Sequence, residues 1–215
     1  MIHILGEGHS LFNEFISEIR DQEIQQDRMR FRRNLERMGE IFAYEISKKL
    51  SYSVQDVTTS LGIAKVEKIV QQPVVATILR AGLPMHFGIL NYFDRADNAF
   101  ISAYRKHHKN GTFDVQVDYM SSPDLTDRTL IICDPMLATG RSMVLAYNAL
   151  LKNGKPKHTH IVSLIASSEA ITYTKLHLPE SITLWTGAID SELTAQSYIV
   201  PGLGDAGDLA FGEKS

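Results

Sequence analysis

The spacing of apolar positions divides this chain into two kinds of segment. Between residues 24 and 50, Phe31, Leu35, Met38, Phe42, Ile46 and Leu50 recur at intervals of three and four. That period predicts one long amphipathic helix. Arg30, Arg32, Arg33, Glu36, Arg37, Glu40 and Lys48 fall between them. They read as a solvated face with helical ion pairs; the other reading gives some arginines a partner subunit. Further on the period changes. Pro73 to Leu79 (PVVATIL) is a short β-branched run closed by Arg80-Ala81-Gly82, the pattern of a buried strand entering a loop. A helix from Pro84 to about Tyr92 follows, since proline fits a first helical turn. Phe100 to Tyr104 predicts a second strand. Lys106 to Val117 is a polar excursion with the hairpin signal Asn110-Gly111. Thr129 to Cys133, His158 to Ala166 and Ile182 to Trp185 predict three more strands. Ser142 to Leu151, ended by Asn153-Gly154, and Ser168 to Leu176 predict the helices between them.

Strands alternating with helices predict a parallel α/β sheet of about five strands. Ligands of such sheets bind beyond the carboxyl ends of the strands. The loops at 80–84, 105–111 and 134–142, and whatever follows residue 185, are therefore where chemistry is expected.

Composition narrows the choice. A chain of 215 residues without internal repeats reads as one domain, and 44% hydrophobic residues suffice for a sizeable core. A net charge of −3 gives no support for a nucleic-acid partner. No apolar run approaches the length of a membrane span, and MIHILGEGHS lacks the basic-then-apolar order of a secretory signal. A cytoplasmic protein is the expectation. The one cysteine, Cys133, excludes an internal disulfide framework and a Cys-rich zinc site. Its place inside an apolar strand predicts a buried structural thiol. His158 and His160 share a strand face but lack a third ligand, so no metal site is read there.

The stretch Asp134 to Ser142 (DPMLATGRS) is the most informative loop. Small residues entering a helix let backbone N–H groups converge on one point, and the helix N-terminus adds partial positive charge. Thr139 and Ser142 add hydroxyl donors, and Asp134 is an acceptor just before them. A phosphate with hydroxyls nearby, as in a sugar phosphate, fits this pattern. Taken alone, the loop also reads as an ordinary strand–helix connection. No Walker sequence is present. Arg80 and Arg105 stand at predicted strand ends, where a guanidinium can grip phosphate oxygens in a two-pronged geometry.

Gly202 to Gly207 (GLGDAG) matches G-x-G-x-x-G, yet it fails as a dinucleotide fingerprint. Only eight residues follow it, too few for a crossover helix, a second strand and a ribose-binding acid. Those glycines instead suit exposure of main-chain groups to a flat ligand.

With these residues in view, the chain resembles the uracil phosphoribosyltransferases. Asp134-Pro135-Met136-Leu137-Ala138-Thr139-Gly140 is similar to that family's phosphoribosyl-pyrophosphate (PRPP) motif, with Pro135 where most phosphoribosyltransferases carry a second acid. Ile78 to Leu83 resembles its pyrophosphate loop, Tyr104-Arg105 the start of its mobile hairpin, and Tyr198 to Asp208 its uracil loop, followed by Phe211-Gly212. Weaker similarity reaches His9, Arg20-Asp21 and Tyr44-Glu45. The resemblance implies a type I phosphoribosyltransferase fold, with a core over about 60–185 and a hood from 1–50 and 186–215. It implies transfer of the phosphoribosyl group of PRPP to uracil, giving UMP and pyrophosphate, with Mg²⁺ held through substrate phosphates rather than by a protein cage. By carry-over, Arg80 and Arg105 hold the pyrophosphate. Asp134, Pro135, Met136, Leu137, Ala138, Thr139, Gly140, Arg141 and Ser142 bind the sugar phosphate, with Asp134 facing the ribose hydroxyls. Ile199, Gly204 and Ala206 read uracil through main-chain groups, and Asp205 sits between base and ribose as a catalytic residue beside Arg80 and Arg105. The resemblance also implies a homo-oligomer, dimer or tetramer, and makes GTP, which activates some members, a candidate effector.

Four departures are visible. Arg141 replaces a usual glycine, and its side chain is expected to point outward. Phe87 stands where an aspartate is usual. Ser168 and Ala170 replace a proline and a glycine flanking Glu169. The hairpin reads Lys106-His107-His108-Lys109 where the family is acidic or mixed. The alternative is a catalytically weak homologue that senses a pyrimidine or nucleotide. Such drift would first lose Arg80, Arg105 or Asp205, and all three stand.

Overall fold

The computed structural model describes residues 1–107 and 113–213, leaving aside the side chains of residues 103–116. In chain order it contains β1 (Ile2–Ile4), α1 (Leu11–Arg20), α2 (Arg28–Ser47), β2 (Tyr52–Thr59), β3 (Gly62–Ile69), β4 (Val74–Leu79), α3 (Leu83–Tyr92), β5 (Asp97–His107) and β6 (Phe113–Ser121). Then come β7 (Thr129–Cys133), β8 (Met136–Leu137), α4 (Arg141–Leu150), β9 (His158–Ser167), α5 (Ser168–His177), β10 (Thr183–Asp190), β11 (Glu192–Leu193), β12 (Ile199–Val200) and α6 (Ala206–Phe211).

The main sheet runs β1-β10-β9-β7-β4-β5-β6, with β8 pairing β9. All pairs are parallel except β5 with β6. The strand directions expected from the sequence are present. The sheet is wider than five strands because short β1 and β8 and antiparallel β6 also join it. β10 continues to Asp190, past the expected Trp185, through Gly187-Ala188, which carries no strong strand signal of its own. β5 starts three residues before Phe100, at polar Asp97-Asn98. The Asn110-Gly111 turn lies outside the described residues, and so does the side-chain chemistry of Lys106 to Lys109.

Alternation along each strand splits the core in two. Val75, Ile131, Val162 and Leu164 face Phe31, Leu35, Met38 and Phe42 of α2 and Met85 and Ile89 of α3. Val74, Ala76, Ile132, Ile161 and Ala166 face Met143, Val144 and Tyr147 of α4 and Ala170 of α5. This is the period-2 consequence of a sheet covered on both faces. Cys133 is fully buried, and burial pushes its thiol up to about 12, so it stays protonated.

The expected helix from residue 24 begins later. Ile24–Gln26 form a single 3₁₀ turn, and the Asp27 carboxylate then caps α2 by accepting from the Arg30 N–H at 3.0 Å. α2 packs on one face of the sheet and β1 extends its edge beside β10. Conversely β2 and β3 pair along their full length as a hairpin standing off the sheet. Ile69 at its base packs against the core, while Tyr52, Val54, Leu61, Ile63 and Val66 are exposed.

The sheet order sets the site. From β4 the chain goes to β5 on one side, and returns through β7, β9 and β10 on the other. The crevice between the ends of β4 and β7 is therefore a topological switch point.

Candidate active site

Two loops flank that switch point: residues 80–82 after β4 and 134–140 after β7. They touch closely. A Cβ on Gly82 would lie 2.9 Å from the Cys133 carbonyl and 2.8 Å from that of Ile78, so only glycine fits. The Leu79–Arg80 peptide is cis.

The 134–142 loop is tied down by its neighbours in the sheet. The Asp134 N–H donates to the Val162 carbonyl at 3.0 Å. The Pro135 carbonyl accepts from the N–H groups of Leu164 (3.0 Å) and Ile165 (3.1 Å) and from Ser163 Oγ at 3.2 Å. Ser167 Oγ donates to the Ala138 carbonyl at 2.5 Å while accepting from the Ala170 N–H at 2.9 Å, so one hydroxyl fixes the loop and caps α5. Gly140 is the N-cap of α4 with φ +76°, a conformation that costs a side-chain-bearing residue about 1–2 kcal/mol. The loop thus delivers backbone N–H groups to the start of a ten-residue helix. Arg141 points outward as expected, exposed and with its guanidinium 5.7 Å from the centre of the Tyr173 ring. Thr139 and Ser142 are half-buried at the mouth. Phe87 is 52% exposed on α3, with its ring edge against His86.

Asp134 directly follows β7, half-buried, and its Oδ1 accepts only a long 3.3 Å bond from the Met136 N–H. Burial pushes its carboxyl up to about 7; the Met136 N–H opposes this and the nearby charge of Asp205 adds to it. The two carboxylates, one in the loop after β7 and one in the C-terminal loop, are thus near enough to repel each other.

The C-terminal loop, residues 198–208, is built differently. Ile199, Leu203 and Ala206 bury their side chains in the core and so anchor the loop. Gly204, with φ +95°, has open space where a Cβ would be. Asp205 caps α6, its Oδ1 accepting from the N–H groups of Gly207 (2.8 Å) and Asp208 (3.0 Å). Arg80 joins this loop to the first: its Nη2 donates to Asp208 Oδ1 at 3.0 Å and to the Gly212 carbonyl at 3.2 Å, while its Nε is buried without a protein partner. The sequence-expected residues Arg80, Asp134, Pro135 to Ser142, Ile199, Gly204, Asp205 and Ala206 thus gather at one edge. Arg105 falls on β5 opposite Val115 of β6, and its side chain lies outside the described residues.

Sequence reasoning missed what holds the 198–208 loop. Asp190, at the end of β10, accepts a two-pronged ion pair from Arg20 at the end of α1, both bonds at 2.8 Å. Its Oδ2 also accepts the Gly202 N–H at 2.9 Å, and Arg20 Nη1 donates to the Gly202 carbonyl at 2.9 Å. Burial alone would raise the Asp190 carboxyl, but the Arg20 hydrogen bonds, the Gly202 N–H and the Arg20 charge together hold it below its ordinary value. The signal that could have found it is the one Asp134 gives, an acid ending an apolar strand. It was hidden because β10 outruns its apolar run. The arginines of α2 likewise divide three ways: Arg33 pairs Glu36 one turn on, Arg30 pairs Glu18 of α1, and Arg32 caps the Ala210 carbonyl at 2.7 Å. His158 and His160 lie at the opposite edge. His158 meets the Thr183 hydroxyl and His160 Nδ1 accepts from the Trp185 indole at 3.1 Å, with burial pushing His160 down to about 3.

A mostly parallel sheet with this order and this switch-point loop is the architecture of a type I phosphoribosyltransferase. The family model for uracil phosphoribosyltransferase matches residues 7–213. The uracil phosphoribosyltransferase of Porphyromonas gingivalis is 58% identical over 214 residues, covering 100% of this chain and 99% of that protein. That of Pyrococcus furiosus is 36% identical over 205 residues, covering 93% and 85%. Among solved structures, the AQ2163 protein from Aquifex aeolicus superposes with a TM-score of 0.87 at 28% identity, covering 99% of this chain and 98% of that one. The chain belongs to the uracil phosphoribosyltransferase family.

Proposed function

We propose that this protein transfers the phosphoribosyl group of PRPP to uracil, forming UMP and pyrophosphate in pyrimidine salvage. The observation that carries the reading is the Arg80 bridge to Asp208 and to the Gly212 carbonyl, which ties the C-terminal loop to the loops at the switch point. The N–H groups of Ala138 to Ser142 and the hydroxyls of Thr139 and Ser142 hold the 5-phosphate. Asp134 accepts from the ribose hydroxyls. Arg80 and Arg105 stabilise charge on the leaving pyrophosphate. The C1–O bond breaks with its electron pair going to pyrophosphate, the bond from C1 to uracil N1 forms, and the N1 proton leaves to the medium. Asp205 lies beside the positive character that develops at C1.

Main-chain groups of Ile199, Gly204 and Ala206 meet the acceptor–donor–acceptor edge of uracil. Cytosine puts a donor where the loop presents an N–H, a mismatch worth about 10⁴-fold or more in a polar site. Asp134 and Asp205 are hard oxygen donors that would hold Mg²⁺ bound through the substrate phosphates, and the ion would supply further charge neutralisation.

The same proposal includes a homo-oligomer. A lone two-stranded hairpin is marginal in water, so the exposed apolar residues of β2 and β3 support packing of this arm on a second copy. Replacing Val54 and Ile63 by lysine is expected to lower the mass measured by light scattering. No described helix is long and apolar enough to cross a membrane, and we place the enzyme in the cytoplasm with its phosphorylated substrates.

The test is direct. Purified protein with labelled uracil, PRPP and Mg²⁺ is expected to yield UMP, with cytosine and hypoxanthine inert, and addition of GTP reports whether it acts as an effector. PRPP binding without product from any base would overturn the reading in favour of a sensor.

A further inference from the structure

The 198–208 loop reads its ligand, on the proposal above, with backbone groups, and backbone groups cannot adjust by changing rotamer. Their aim is set by whatever fixes the chain, and a misplacement of about 1 Å can cost about 100-fold in rate. Gly202 is where the loop is fixed. Its φ is +55°, and a Cβ there would collide with the Ile199 carbonyl, so the chain folds back tightly on the strand that carries Ile199. Both polar groups of Gly202 are taken by one part-buried pair. Its N–H goes to Asp190 Oδ2 at 2.9 Å and its carbonyl receives Arg20 Nη1 at 2.9 Å. Asp190 is 8% exposed, and its two oxygens are each bonded by Arg20 at 2.8 Å. Next along the chain, the Gln25 amide, with its nitrogen turned to the two carbonyls it faces, donates to Leu203 at 2.9 Å and to Ile19 at 3.1 Å.

We infer that Arg20 and Asp190 are positioning residues for base recognition: a planar fork from α1 and a carboxylate from β10 hold Gly202 by both its groups, and so set the aim of the main-chain donors and acceptors that follow at Gly204 and Ala206. This rests on the loop being the base reader. A pair that merely braced the fold would be expected to change stability and leave the two substrates equally affected. A positioning pair affects the base alone.

The experiment compares Arg20→Lys, Asp190→Asn and a control, Arg30→Ala, which breaks the neighbouring α1–α2 ion pair with Glu18 but touches no part of the loop. Lysine keeps the charge and loses the fork. Asparagine keeps the shape and turns a donor toward Arg20 or Gly202. Steady-state constants are measured for uracil and for PRPP separately, with cytosine as competing base and circular dichroism for folding. Arg20→Lys and Asp190→Asn are expected to raise the KM for uracil about 10- to 100-fold, leave the KM for PRPP within about twofold, and narrow the uracil-to-cytosine ratio. Arg30→Ala is expected to match wild type in all three. Equal changes for both substrates, or lowered melting temperature with unchanged uracil KM, would overturn the inference. If Asp190→Asn fails to fold, Arg20→Lys decides. A wild-type protein inactive with uracil would instead sink the functional reading itself.

Discussion

The loop after β7 and the loop before α6 meet in one crevice but are held in opposite ways. The first is shaped by residues close by in the chain: Ser163 and Ser167 bind its carbonyls from 28 and 29 residues away, and Gly140 sets its own turn. The second is held from across the molecule. Arg20 is 182 residues from Gly202, Arg32 is 178 from Ala210 and Arg80 is 128 from Asp208. A phosphate is recognised by many convergent donors, so a strand–loop–helix unit suffices. A flat base offers three polar groups in one line, so its reader must be placed by the whole fold. The difference predicts which substrate each residue serves.

The largest effect is expected where the loops are joined. Arg80→Ala should lower kcat/KM for PRPP by about 10²–10³-fold through loss of charge on the leaving group. Little folding stability should be lost, since the Arg80–Asp208 pair is more than one-third exposed on the arginine side. Wild-type kinetics in this variant would remove Arg80 from the mechanism. Next is Asp205→Asn. Asparagine is as good a helix cap as aspartate, so α6 should persist while kcat falls by about 100-fold with PRPP binding kept. Because the Asp205 charge helps raise Asp134, the Asp134 titration should also move below about 7, read from carboxyl shifts in the NMR spectrum.

Gly140→Ala sharpens the comparison from the other side. A Cβ there would lie 3.1 Å from the Thr174 methyl and 3.2 Å from the Ala170 carbonyl at a φ of +76°. A cost of about 1–2 kcal/mol is expected, seen as a roughly tenfold rise in the KM for PRPP with the uracil KM unchanged. An equal rise for both substrates would break the division of labour.

The smallest effect tests the cost of the site. The Asp134 carboxyl is about 7 when folded and near its ordinary acidic value when unfolded. The folded state therefore holds its proton more tightly, and stability from this group is full below about pH 4 and falls as pH rises toward 7. Asp134→Asn stays neutral throughout, so its melting temperature at pH 8 should exceed that of wild type by about 2–8 °C, with the difference vanishing below pH 4. Activity should fall in the same variant. A lowered melting temperature at pH 8 would show that Asp134 supports the fold rather than the ligand.

Much of this was legible without coordinates. The β4, β7 and β9 runs announced themselves as apolar stretches, and Asp134 to Ser142 announced a strand end opening into a helix. Other features gave no local signal. Ala188 becomes strand because Ile165 of β9 pairs with it, and Gly187 is carried along between it and Thr186. Arg20 and Arg30 look alike on a helical wheel, yet one holds Gly202 and the other a neighbouring helix. Asp97-Asn98 reads as loop and is strand through its partners Val74 and Val75.

Sequence by itself determined which segments are buried, their order as an alternating α/β chain, and the chemistry at each strand end. Those properties follow from side-chain period, glycine conformations and helix starts, all local. Only the tertiary structure decided that β7 returns to the far side of β4 and so opens the crevice. It also decided that Asp134 feels the charge of Asp205, and that an arginine of the first helix and an acid of the last long strand grip one glycine between them. Pairing across more than a hundred residues depends on which faces the whole core brings together, and no window of sequence contains that information.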